Sequence, residues 1–137
     1  MTTIKKGFQF ETTTKEIEVN GNAYKVDFSD DAMNRYMEVG HKMQSIMLEE
    51  QEKLESHGEN LPIEVLKETQ IKQREAVKEV LEAFLGEGTF DGLYDMAGRS
   101  VINLLALVDY LNTFMDEQTF QKIEAKKEKY LKNKKTK

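Results

Sequence analysis

The stretch FLGEGTFDGLYD, residues 84–95, places Gly86, Gly88 and Gly92 within seven positions of a chain that has only eight glycines. Clustered glycines suit two purposes. They let backbone N–H groups close around a phosphate, or they turn the chain between two helices. A dinucleotide fingerprint needs G-x-G-x-x-G after a strand and at the opening of a helix. Here the spacing is Gly86-x-Gly88-x-x-x-Gly92, it follows a helical pattern, and no Walker lysine accompanies it. The favoured reading is a helix joint made by Gly86, Gly88 and Gly92, with Thr89 or Asp91 capping the next turn.

Other residue types that carry chemistry fall short of a complete site. Glu38-Val39-Gly40-His41 spells Glu-x-x-His on a helix, half of a di-iron motif. That centre requires a second such motif and two further glutamates, and the only other histidine is His57 in a loop. Glu49, Glu50, Glu52 and Glu55 crowd one helix end beside Gln51, Lys53 and Ser56. Carboxylates do acid–base work only where burial separates their pKa values, and these read as a solvated face. There is no cysteine, no G-x-S-x-G and no calcium loop. Ser100 reads as the start of a helix. No catalytic residue, metal ligand or cofactor is therefore expected, and the chain reads as non-enzymatic.

The elements that would hold any surface follow from periodicity. In KEIEVNGNAYKVDF, residues 15–28, Ile17 and Val19 and then Tyr24, Val26 and Phe28 alternate with charged residues around Asn20-Gly21. This predicts a β-hairpin with a tight turn, to which Phe8 and Phe10 add a strand. Ser29 or Asp30 caps a long helix with apolar positions Met33, Tyr36, Met37, Gly40, Met43, Met47 and Leu54. Gly58 and Pro62 stop it, and Asn60 is the expected cap of a second helix. Its stripe is Ile63, Leu66, Ile71, Val77, Val80, Leu81, Phe84 and Leu85. The third helical stretch, SVINLLALVDYLNTFM, is apolar nearly all round, so it is either central or covered by another chain. A last helix, held by Phe120 and Ile123, frays into lysines.

The expected architecture is mainly α (α+β): an N-terminal hairpin, about four helices and a basic tail. Residues 1–125 form one helical domain, and residues 126–137 a lysine-rich tail that is frayed or disordered. The 137 residues suit one core, and 39% hydrophobic with 33% charged residues excludes a disordered chain. The N-terminus carries no apolar leader and no segment is long enough to span a membrane, so the expected place is the cytoplasm. Seven lysines against one glutamate in residues 126–137 oppose an acidic remainder of 13 basic and 24 acidic residues. Such polarity favours head-to-tail contact between copies or docking to a basic partner. It disfavours a specific nucleic-acid face on the body, and Tyr130 is the tail's lone aromatic.

The order of these pieces resembles the tail assembly chaperones of long-tailed (siphovirus-type) phages and prophages of Gram-positive bacteria. The resemblance spans roughly residues 16–125. It is carried by EIEVNGNAYKVDFSDDAMNRYMEV leading into a long helix, by LEAFLGEGTFDGLYD, and by a further apolar helix with a lysine-rich end. It implies a small, helical, non-enzymatic protein that binds and solubilises the tape-measure protein before tail-tube subunits polymerise around it. A homo-oligomer in the bacterial host cytoplasm is expected, because a long client needs many copies. The residues expected to meet a partner are Met33, Met37, Met43 and Met47 on the first helix, and Leu104, Leu107, Leu111 and Phe114 on the apolar helix. Methionine suits the first surface because its side chain adapts to several shapes. Some of these eight also build the domain's own core. Two other functions fit the size and charge: a virion structural component (head–tail connector or tail completion protein), and a nucleic-acid-associated small helical regulator.

Overall fold

The computed structural model of the protein describes residues 6–135. A two-stranded antiparallel hairpin, β1 (Thr14–Val19) and β2 (Asn22–Asp27), precedes five helices. These are α1 (Asp30–Ser56), α2 (Ile63–Leu85), α3 (Phe90–Met96), α4 (Val101–Gln118) and α5 (Phe120–Lys135). The architecture is the mainly helical one expected. The helix beyond four is α3, seven residues long, which follows the glycine joint.

The hairpin forms because Asn20 and Gly21 both take positive φ, 48° and 81°, which matches the strand twist in a two-residue turn. Pairing sets Ile17 against Tyr24 and Lys15 against Val26, so Ile17, Tyr24 and Val26 share one face. That face rests on α2, and Ile17 and Val26 are buried. Phe8 and Phe10 do not add a strand. The sheet has two strands, and both rings are exposed and packed edge-on at 4.8 Å.

The junction from β2 to α1 is a polar clasp. The Asp27 carboxylate accepts hydrogen bonds from the Ser29 backbone N–H (2.9 Å), the Ser29 hydroxyl (3.0 Å) and the Thr13 hydroxyl (2.9 Å). These donors, led by the Ser29 N–H, hold its pKa below the ordinary value. Ser29 Oγ in turn accepts from Ala32 N and caps α1. The Tyr36 hydroxyl donates to the Asp27 carbonyl at 2.7 Å, tying the second turn of α1 back to the strand.

Helices α1 and α2 form an antiparallel hairpin, with Gly58 (φ 57°) in the bend. Asn60 is not the cap of α2. Pro62 holds that position, and no side chain caps the helix. At the base of this hairpin Tyr36 stacks on Phe84, with ring centroids 4.0 Å apart. Helix α4 lies over the base and middle. Its end reaches the start of α1, where Phe114 meets Phe28 at 5.4 Å. Its beginning reaches the middle of α2, where Val101, Ile102 and Leu105 face Gln70, Gln73 and Arg74 across one cleft. The core is the set of side chains between these layers, including Met33, Val77, Leu81, Phe84, Leu93, Leu104, Val108 and Leu111.

The lysine run falls in α5 as far as Lys135, and residues 136–137 of the expected tail lie outside the described residues. Ile123 does not hold that helix to the body, because it is exposed.

Candidate partner-binding surface

The glycine joint is the first place where the sequence posed a choice of chemistry. Gly86 has φ 117° and ψ 147°, a region closed to residues with a Cβ, and Gly88 has φ 83°. Two of the N–H groups that could face a phosphate are already engaged by a side chain. Glu82 Oε2 accepts from Gly88 N at 3.1 Å and from Phe90 N at 3.2 Å. A carboxylate from the last turn of α2 thus caps α3, at the end where helix N–H groups and dipole favour negative charge. Neither Thr89 nor Asp91 supplies the expected cap, since Thr89 Oγ1 donates to the Gly86 carbonyl at 2.6 Å instead. Gly92 does not belong to the joint. It sits inside α3 with open space where a Cβ would point.

The glutamate cluster also divides. Glu49, Glu52 and Glu55 are exposed, but Glu50 is only 5% exposed. Its Oε2 accepts from the buried Thr69 hydroxyl at 2.9 Å, and its Oε1 faces Lys72 Nζ at 3.3 Å. The Thr69 hydrogen bond, helped by Lys72 and Lys53, outweighs desolvation and keeps the carboxyl below its ordinary pKa. Lys42–Glu79 (3.0 Å) and Lys53–Glu68 (3.7 Å) flank it and bridge α1 to α2 at the surface. This is a structural lock on a solvent-facing side of the hairpin. Among the described residues no three His, Asp or Glu side chains converge to hold a metal ion.

The eight partner-facing candidates are split by the packing. Met33, Leu104 and Leu111 are buried in the core, where no partner reaches them in the folded chain. Met43, Met47, Leu107 and Phe114 are partly buried against that core. Of the eight, Met37 alone is exposed. The methionine face of α1 is therefore mostly core filling. The inward side of α4 is Leu104, Val108 and Leu111, so its outward side carries Ile102, Ala106 and Tyr110 at intervals of four. Ile102 is 79% exposed and Tyr110 is also exposed. Tyr110 stacks on the half-buried Phe114, which lengthens the stripe toward the end of α4.

At the start of α4 the stripe opens on a cleft of about 380 Å³ between Gln70, Gln73, Arg74, Tyr94 and Arg99. Arg99 and Arg74 sit 4.7 and 5.6 Å from the centre of the Tyr94 ring. Arg99 also pairs with Asp95 at 3.0 Å. Two guanidinium groups thus sit on one aromatic ring, and the Asp95 carboxylate offsets one of their charges. Sequence reasoning did not single out Ile102, Tyr110 or Arg74. A helix that is apolar on every side offers no periodic signal for which side faces out.

Other apolar side chains are exposed on the α1–α2 hairpin, Ile63 and Leu66 near its tip and Leu48 and Ile71 farther from the bend. Among the described residues no helix is long and apolar enough to cross a membrane. No protein-family model, curated protein or solved structure gives a significant match to the chain.

Proposed function

We propose that this protein is an assembly chaperone that shields long apolar helices of a client before the client is packaged. With the resemblance to phage tail assembly chaperones, the client is the tape-measure protein and the setting is the host cytoplasm. The observation that carries the reading is the outward stripe of α4. Ile102, Ala106 and Tyr110 lie exposed along about 12 Å of helix, beside the Arg74–Tyr94–Arg99 cleft. An apolar row flanked by a groove, with exposed Asn103, Asp109 and Thr113 beside it, suits an amphipathic helix laid alongside it. The acidic remainder of the chain keeps the loaded complex soluble. This role needs no catalytic group, metal or cofactor.

Co-expression with the tape-measure protein of the same genome tests the proposal. The long protein should become soluble and carry this chain with it through purification. Ile102→Asp with Tyr110→Asp should abolish that capture and leave the circular dichroism spectrum unchanged. A tape-measure protein that stays insoluble and captures none of the unaltered chain would overturn the reading. Mass spectrometry of finished virions separates it from a head–tail connector or tail completion protein. A chaperone is absent from the particle, and a structural component remains in it.

A further inference from the structure

The tip of the α1–α2 hairpin and helix α5 are complementary surfaces that one chain cannot join to each other. On α2 the stripe covered by α4 at Val77 and Leu81 continues by helical spacing through Gln70 to Leu66 and Ile63. The start of α4 lies over Gln70 and Arg74, and beyond it Ile63 is 62% exposed and Leu66 38% exposed. This tip is strongly acidic, since residues 46–68 hold seven glutamates against two lysines. Helix α5 is the opposite in charge, with seven lysines against two glutamates in residues 122–135. Its Ile123 and Leu131, eight residues apart on one side of the helix, are 59% and 50% exposed.

Length prevents the two from meeting within one molecule. Helix α5 follows α4 after the single residue Thr119, so it starts at the base of the hairpin beside Phe28 and Phe114. Its 16 residues span about 24 Å, against about 27 Å for the 18 residues of α4. Folded back along α4, it would stop short of the α4 start, and the bare strip lies beyond that point.

We infer that α5 of one copy docks on the α1–α2 tip of the next, joining copies head to tail. Ile123 and Leu131 cover Ile63 and Leu66, and the lysines flank the tip glutamates. Such an interface is heterologous, so each bound copy presents a fresh tip or a fresh α5, and copies add until a ring closes or a filament extends. It deepens the proposed role by supplying a way to cover a long client, yet its test contains no client.

The test uses two full-length variants, Ile63→Asp/Leu66→Asp at the tip and Ile123→Asp/Leu131→Asp on α5, each checked for native circular dichroism. In sedimentation velocity at low salt the unaltered chain should associate with rising concentration. Each variant alone should associate at least about tenfold more weakly. Mixed, the two variants should form a one-to-one pair and stop, because one intact tip and one intact α5 remain between them. Should a variant fail to fold, Lys126→Glu/Lys127→Glu/Lys129→Glu takes its place on α5, and salt near 0.5 M should disrupt the unaltered assembly as charge screening requires. A monomeric unaltered chain, variants that associate like it, or a mixture that never pairs would overturn the inference. A client captured by chains that never self-associate would break this interface and leave the chaperone reading standing.

Discussion

The base and the tip of the α1–α2 hairpin use the same two helices to opposite ends. At the base, Tyr36, Val77, Leu81 and Phe84 are enclosed by the β-hairpin on one side and α4 on another. At the tip, Ile63 and Leu66 are also apolar and three residues apart on α2, and they are exposed. Apolar surface at helical spacing therefore does not by itself mark a core. Among the described residues, nothing in the chain's own fold covers the tip side chains.

The contrast predicts unequal responses to truncation. Leu81→Ala at the base should cost about 2–5 kcal/mol, from lost burial and the cavity left behind. Ile63→Ala or Leu66→Ala at the tip should stay within about 1 kcal/mol in a dilute sample. Urea melts of the three variants measure the difference, and comparable losses at both ends would erase the distinction between covered and bare halves.

The joint that ends the base half is the next most sensitive point. Gly86→Ala forces a Cβ into a glycine-only backbone region, with an expected cost of about 1–3 kcal/mol. Glu82→Ala removes the carboxylate that caps α3 and should cost about 1–2 kcal/mol. Glu82→Gln, with an oxygen still available to the Gly88 and Phe90 N–H groups, should recover part of that loss. Thermal melts of these variants would refute the cap if Glu82→Ala proved neutral.

Where base gives way to tip, Glu50 and Thr69 form a buried polar pair bridging α1 and α2. Glu50→Ala leaves the Thr69 hydroxyl without its acceptor and should cost about 1–3 kcal/mol. Because the folded protein holds the Glu50 carboxyl below its ordinary value, its contribution is present above the usual carboxylate range. It is lost as pH falls through the lowered folded value. Acid titration of stability should therefore be shallower in Glu50→Ala than in the unaltered chain. Identical acid profiles would show that the pair does not link protonation to folding.

The smallest expected effect has the opposite sign. Gly92 lies inside α3 with nothing near its missing Cβ, so Gly92→Ala should stabilise by about 0.5–1 kcal/mol. Loss of stability there would place Gly92 back among the joint glycines.

Local chemistry made much of this fold legible. Asn20-Gly21 between alternating strands announced the hairpin, and Ser29 and Ser100 announced helix starts that the structure keeps. The failures share one cause, since each depends on which surfaces meet in three dimensions. Phe8 and Phe10 have strand spacing but no neighbouring strand to pair with. Glu50 looks like its solvated neighbours until α2 brings Thr69 beside it. Gly88 N and Phe90 N are taken by Glu82 from the preceding helix, before Thr89 or Asp91 could serve them. The candidate surface suffered most. Leu104 and Ile102 are two residues apart with similar side chains, and only the position of α4 on α2 decides that one is core and the other is exposed.

Sedimentation velocity of the unaltered chain, alone over a range of concentrations and then with a soluble tape-measure fragment, bears most directly on the claim that a second polypeptide covers the surplus apolar surface. The account predicts a boundary that speeds up with concentration and again when the fragment is added. A single slow boundary at the mass of one chain, unchanged by either, would contradict it.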